Sequence, residues 1–308
     1  MIQRILQPGE IEALDQTAIP RIRLPDRATV FAERAARLRK LADHNPIAGY
    51  LRLMATVVDA QHQILATFSA RPLAPNSLKL AQAHSMPLAS ALASERDPAW
   101  RGVLRRVLDG VDAAGPVTPA LGKLLDGLRA MSDAELAAAA DAVLALSFTE
   151  VDPATAPFLM AALQVVWTDI ATRLDTRDIP YLDTPGLCPV CGSPPVASIV
   201  RIGGQYQGYR FLQCSLCACE WHMVRVKCSH CDSTKGIAYH GIVGGDALKA
   251  ESCDECHTYR KIGYQEKDYA FEPLADDLAS LTLDLLMSEA GFQRASPNPL
   301  LWPQSSDA

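Results

Sequence analysis

No cysteine precedes Cys188 in this 308-residue chain. That excludes disulfide stapling of the N-terminal part, and with 49% apolar residues the chain is large enough to bury a core without it. No apolar run approaches the length of a bilayer span, and the opening MIQRILQPGEIEAL is interrupted by Gln, Pro and Glu before the apolar region of a signal peptide forms. The expectation is a soluble, cytoplasmic protein with no stable membrane insertion. Basic charge is not in excess either, since 29 Lys and Arg stand against 35 Asp and Glu for a net charge of −6. Nucleic acid and anionic membranes both reward a concentrated positive surface, so neither is the expected partner. A glycine-rich phosphate loop and a dinucleotide fingerprint are missing. No Ser-His-Asp or Cys-His set can be assembled, and the chain is read as a non-enzyme.

What is present begins with helical periodicity. In TVFAERAARLRKLADHN, Val30, Ala35, Leu38 and Leu41 share one face, and after Asn45-Pro46 the pattern resumes through Tyr50, Leu53, Val57, Gln61 and Ile64. The two segments predict an antiparallel helix pair, with His44 and Asn45 serving the second helix as capping residues. Further helices are expected over residues 77–95, 98–110, 118–130, 132–147 and 157–174, the fourth opened by a capping box of Ser132 and Glu135. Short Pro- and Gly-bearing connections separate them, as in a helical bundle.

Composition changes near IPYLDTPG, and all nine cysteines then fall between Cys188 and Cys256 inclusive. Eight form four Cys-x-x-Cys pairs: Cys188/Cys191, Cys214/Cys217, Cys228/Cys231 and Cys253/Cys256. One nearly constant offset carries the first two pairs onto the last two, Cys188 onto Cys228, Cys191 onto Cys231, Cys214 onto Cys253 and Cys217 onto Cys256. That is the mark of an internal duplication. Two residues between cysteines let a tight turn aim both sulfurs at one point, and a hairpin brings a second such turn opposite, closing a tetrahedral cage. The runs ASIVRI and YRFLQ, then GIAYHGI and LKAES, supply those hairpins, and WHMVRV is expected to be a further strand. Sequential pairing into two cages is therefore favoured over interleaved pairing. A reducing compartment and the duplicated array argue against disulfides or a thioredoxin-like pair.

Zinc and iron both accept four thiolates, and spacing does not separate them. The Gly of CPVCG inclines the choice to iron, because a glycine there exposes backbone N–H groups to the sulfurs. Between Cys188 and Cys256 there are six Lys or Arg and six Asp or Glu, a neutral module where a phosphate-tracking surface should be positive. Cys219, the ninth cysteine, is read as an ordinary strand residue rather than a spare redox thiol. His222, His230 and His257 are surplus to two complete sulfur sets, and Trp221 is expected to pack over the first cage. Beyond Pro273, LADDLASLTLDLLMSEAGF reads as one helix ending at Gly291, with Asp276 and Asp277 in a solvated first turn favoured by the helix dipole. The tail SPNPLLWPQSSDA is ordered where Leu300, Leu301 and Trp302 find a groove.

The segment FLQCSLCACEWHMVRVKCSHC, with upstream CPVCG, downstream ESCDECHTYRKI and LADDLASLTLDLLMSEAGF, resembles the formate dehydrogenase accessory protein family, FdhE. RLRKLADHNPIAGYL and AQHQIL are similar as well, so the likeness spans nearly the whole chain. The resemblance implies a cytoplasmic factor for the biogenesis of respiratory, molybdenum- and selenium-dependent formate dehydrogenases. It further implies binding of the catalytic subunit before export, rubredoxin-like iron sites, and no catalysis of formate oxidation. It carries the ligand role onto Cys188, Cys191, Cys214, Cys217, Cys228, Cys231, Cys253 and Cys256. The expected fold is a multidomain α+β chain: an all-α domain over 1–180, two small rubredoxin- or zinc-ribbon-like β modules over 184–226 and 227–272, and a C-terminal helix and tail over 273–308. The expected function is a chaperone-like assembly factor holding two metal ions, iron in preference to zinc. A zinc-ribbon nucleic-acid binder and a rubredoxin-like electron carrier stand as alternatives, and homo-oligomerisation is left open.

Overall fold

A short strand, β1 (Ile22–Arg23), leads into two helices, α1 (Val30–Leu41) and α2 (Ala48–Thr67), which pack as the expected hairpin in this computed structural model describing residues 19–93 and 95–303. The signal-peptide reading of residues 1–14 and the last residues of the tail lie outside the described residues. Phe31, Ala35 and Leu38 form the buried face of α1, and Leu51, Met54, Val58 and Leu65 that of α2. Val57, Gln61 and Ile64 are buried as the sequence pattern places them, while Tyr50 and Leu53 at the start of α2 are only partly covered. Asn45 serves the intervening turn, where its Oδ1 accepts from Ile47 N at 3.1 Å. Its Nδ2 donates to Ala279 O near the other end of the chain at 2.9 Å.

The run expected to be helical over 77–95 holds only α3 (Ser77–Ala83). Beyond it the backbone is used differently: Leu88, Ala89 and Ala91 donate their N–H groups to the carbonyls of Pro189, Val190 and Cys191 at 3.4, 2.7 and 2.8 Å. A helix there would spend those donors on itself. Four helices follow close to their expected positions, α4 (Trp100–Ala113), α5 (Pro119–Ala130), α6 (Asp133–Ala145) and α7 (Ala156–Thr172). The Ser132–Glu135 capping box is formed at α6. Helix α7 is buried almost all round and packs against α2, α4 and α6 as the axis of the domain.

The strands β2 (Pro195–Val200), β3 (Arg210–Cys214), β4 (Glu220–His222), β5 (Ile237–His240), β6 (Leu248–Cys253) and β7 (Thr258–Tyr264) form one sheet in the order β1-β4-β3-β2-β7-β6-β5. Both expected hairpins are present, ASIVRI against YRFLQ and GIAYHGI against LKAES. The duplicated halves join through the parallel pairing of β2 with β7, Ser198 opposite Ile262 and Val200 opposite Tyr264. Gly263 sits in this seam because the Phe271 ring occupies the place its Cβ would take. WHMVRV is not a full strand. Pairing stops at His222, and the Val224 and Lys227 carbonyls instead accept from the buried Arg210 guanidinium at 3.4 and 3.1 Å.

The C-terminal segment is two helices, α8 (Pro273–Ala279) and α9 (Leu281–Glu289), where one was expected. At the break, the Ser280 hydroxyl donates to Asp276 O at 2.7 Å, and Lys261 Nζ reaches Asp277 O and Ser280 O at 2.8 and 3.1 Å. The orphan carbonyls at the end of α8 are thus satisfied from β7, and the chain can turn. Strand β8 (Gln293–Arg294) then pairs with β7. Asp276 and Asp277 are not solvated. Asp276 receives Arg37 Nε at 2.8 Å, while Asp277, wholly buried, pairs with Arg294 and accepts from Asn298 Nδ2 at 2.7 Å. Only Asp276 lies in the first turn of α8, and both carboxylates are held by cations that α1, β7 and β8 bring to them. Leu300 and Trp302 are buried, with the Trp302 ring 5.1 Å from Phe148.

Breaking a buried charge network leaves its partners uncompensated, so Asp277→Ala should lower unfolding free energy by about 3–5 kcal/mol. Arg39→Ala, which removes an exposed pair with Asp59, should change it by less than about 1 kcal/mol. Urea denaturation of the two variants checks this; equal losses would show that α8 is not held by its charges.

Candidate metal centres

Each Cys-x-x-Cys pair lies on a tight turn that the backbone closes in the same way. Cys188 N donates to Ser193 O at 3.0 Å, Cys214 N to Cys219 O at 2.9 Å and Cys228 N to Ser233 O at 2.8 Å, and Cys253 pairs with Thr258 in the β6–β7 ladder. The residue after the second cysteine is left-handed in all four turns: φ is 78° at Gly192, 57° at Ala218, 66° at Asp232 and 52° at His257. Glycine is therefore not what makes the turn, although at Gly192 a Cβ would also press on Pro87 at 3.0 Å. The glycine argument for iron does not hold geometrically either. Gly192 N donates to Cys188 O at 2.8 Å, whereas N–H groups reach sulfur in turns without glycine, Leu216 N to Cys214 Sγ at 3.3 Å and His230 N to Cys228 Sγ at 3.4 Å.

The sulfurs converge four by four in the sequential grouping. Cys188, Cys191, Cys214 and Cys217 form one set and Cys228, Cys231, Cys253 and Cys256 the other, each with all ligand atoms within 4.8 Å of one another. Across the cages Cys188–Cys217 and Cys191–Cys214 are 3.5 and 3.3 Å apart, and Cys228–Cys256 and Cys231–Cys253 are 3.7 and 3.6 Å apart. A disulfide requires about 2.05 Å. A tetrahedron with metal–sulfur bonds of about 2.3 Å has edges of about 3.8 Å, so both sets fit a single ion of zinc or iron. Burial pushes the Cys188, Cys214 and Cys217 thiols well up. Four thiolates in that setting need a cation among them.

The surroundings of the two cages differ. The first is fused to the helical domain, its cysteines sharing one apolar core with Val190, Leu216 and Trp221 and with residues of α2, α4 and α7. A polar chain enters it: Gln61 Nε2 donates to Gln164 Oε1 at 3.0 Å, and Gln164 Nε2 to Ser215 O, inside the Cys214–Cys217 turn, at 2.7 Å. Sequence reasoning missed Gln164, whose only signal is a lone amide in the otherwise apolar APFLMAALQVVW. The second cage stands outside that core, with Cys231 exposed and Cys256 half-buried.

The histidines are accounted for without ligation. His222 meets the Tyr209 and Phe211 rings edge-on at 5.8 and 5.9 Å, His257 tilts against Phe292, and the His230 side chain is exposed. Trp221 is buried beside the first cage and donates to Pro185 O at 2.8 Å. Cys219 is buried immediately before β4 and belongs to neither set of four sulfurs. With the cage thiols protonated, hydrogen bonds from Cys188 and Cys217 pull it down to about 6. Its counterpart in the second copy is Thr258, whose hydroxyl lies 3.1 Å from Cys256 Sγ. In the structure the Cys219 S–H instead donates to Arg23 O at 3.7 Å.

Models of the FdhE N-terminal, central and C-terminal domains match residues 19–183, 187–225 and 226–301. The chain belongs to the FdhE family. An FdhE homologue from Stutzerimonas stutzeri is 43% identical over 305 residues, covering 98% of this chain and 99% of that one. One from Pseudomonas aeruginosa is 42% identical over 310 residues with the same coverage. The crystal structure of the FdhE protein from Pseudomonas aeruginosa superposes with a TM-score of 0.84 at 39% identity, covering 93% of this chain and all of that chain. The mixed helix-and-sheet fold with two tetracysteine clusters is thus that of an FdhE protein. Among the described residues no helix is long and apolar enough to cross a membrane.

Elemental analysis should find two ions per chain. Cys217→Ala should retain one, and Cys219→Ala should retain two. Under chelator the ion of the exposed second cage should leave first. Loss of an ion from Cys219→Ala would make that sulfur a ligand and overturn the grouping.

Proposed function

We propose that this chain is a cytoplasmic, chaperone-like accessory factor in the biogenesis of a respiratory formate dehydrogenase. It binds the catalytic subunit of that enzyme and carries two ions on Cys188, Cys191, Cys214 and Cys217 and on Cys228, Cys231, Cys253 and Cys256, with iron preferred to zinc on the family resemblance alone, since the cage geometry fits both. The observation that carries the reading is the pairing of full-length FdhE similarity with two closed cages. Four thiolates fill a tetrahedral shell and leave no position for a substrate, which assigns the ions a holding or one-electron role rather than Lewis-acid catalysis. Ion binding in such sites is folding free energy, which suits β modules with little core of their own. In this reading the four-part division at residues 180, 226 and 272 separates a helical platform, two ion-bearing modules and a clamp.

A client surface is suggested where the parts meet. A cavity of about 440 Å³ opens between α1, the first module and the segment before α8, with Glu33, Lys40, Arg201, Gln213 and the exposed Tyr269 among its walls. Its mixed charge and aromatic rim suit a protein segment better than a polyanion.

Affinity capture from cells expressing the formate dehydrogenase should recover its catalytic subunit with the unmutated chain, and Tyr269→Ala should weaken capture about tenfold. Failure of the metal-loaded, unmutated chain to retain that subunit would sink the proposal. Full capture by Tyr269→Ala would only move the client surface elsewhere.

A further inference from the structure

Arg260 is 5% exposed, yet no carboxylate lies within ion-pair distance of it among the described residues. Its Nε donates to Ser229 Oγ at 2.8 Å, and its Nη1 donates to Ser296 Oγ at 2.6 Å and to Pro195 O. All three acceptors are neutral. The neighbouring charges are already matched: Arg210 to Glu251 at 2.7 Å, Lys261 to Asp284 at 2.6 Å, and Arg294 to Asp277. Arg260 is the odd cation of this group. Burial pulls its guanidinium down to about 9, with Arg210 and Arg294 acting in the same direction. An unpaired buried cation of this kind is expensive unless a negative charge lies nearby.

The second cage adjoins Arg260. Cys228 immediately precedes Ser229, and Cys228, Ser229, Cys253 and Arg260 line one small pocket of about 10 Å³. Four thiolates around a divalent ion carry a formal charge of −2. The duplication provides an internal control. The offset that carries Cys217 onto Cys256 also carries Trp221 onto Arg260 and Leu212 onto its cross-strand neighbour Glu251, and the two ladders have the same register. The offset that carries Cys188 onto Cys228 carries Pro189 onto Ser229. The first copy is therefore apolar at the positions where the second carries the guanidinium and its hydroxyl anchor.

We propose that Arg260 is the counter-cation of the second tetrathiolate centre and makes the two centres electrostatically unequal. It rests on the second four cysteines holding an ion, as argued above. The residue positions charge toward the thiolates and does not bind the ion itself.

The test uses the full chain loaded with Zn²⁺ and challenged with excess EDTA, with bound zinc measured over time by elemental analysis after desalting. The unmutated chain should lose its two ions in a fast and a slow phase. Arg260→Gln should speed the fast phase by about tenfold or more and leave the slow phase unchanged, while Arg260→Lys, which keeps the charge but loses the planar fork, should stay within about threefold of the unmutated rate. An unchanged fast phase in Arg260→Gln overturns the proposal. Equal acceleration by Gln and Lys also overturns it, because the residue would then act through its hydrogen bonds. An unmutated chain that binds fewer than two ions refutes ligation itself and Arg260's role with it. Should Arg260→Gln fail to fold, the unmutated chain loaded with iron gives a second measurement. Its faster-released centre, identified as the wave lost on partial chelation, should have the higher reduction potential, because a counter-cation favours the more negative reduced state. Equal or inverted potentials overturn the proposal.

Discussion

Unbonded sulfurs brought to within 3.3–3.7 Å of each other at the bottoms of four tight turns are stable when protonated or when gathered round a cation. In the first cage burial disfavours uncompensated thiolates at Cys188, Cys214 and Cys217, so a cation bound there would be part of what closes the module. The hairpins, the closing hydrogen bonds from each leading cysteine and the left-handed residue after each trailing one all serve that convergence. The duplicated sheet grows outward from it.

The rest of the molecule is arranged around the first of these cages. The segment after α3 gives up helix to cover the Pro189–Cys191 carbonyls, and Trp167 fixes that segment by donating to Ala89 O at 2.8 Å. The amides of Gln61 and Gln164 extend the link from α2 through α7 to Ser215. On the far side, α8 lies between α1 and the sheet, held by Arg37 from one and Lys261 from the other. Helical platform and first module therefore share a core, and disturbance at one is felt at the other.

The second cage is built from the same repeat but embedded differently. Its cysteines lie outside the apolar core that holds the first four, it is partly open to solvent, and the charged Glu251 and Arg260 pair where Leu212 and Trp221 pair in the first copy. Duplication followed by divergence at positions such as Trp221 and Arg260 leaves two sites alike in ligands and unlike in environment. That difference is where any division of labour between the ions would originate.

The sequence by itself determined the grouping of eight cysteines into two sets of four, because two-residue spacings, hairpin-length intervals and a nearly constant repeat offset are local constraints that leave few ways for eight sulfurs to meet. It also determined most helices and both long hairpins, whose periodicity is carried by neighbours a few residues apart. Only the tertiary structure decided that residues 88–91 run along the Cys188–Cys191 turn, that α8 and α9 break at Ser280, that Asp276 and Asp277 are buried, and that Arg260 lines one pocket with Cys228 and Cys253. Each of those depends on a donor, acceptor or charge brought from tens or hundreds of residues away, and a long-range partner of that kind leaves no periodic trace in the chain that receives it.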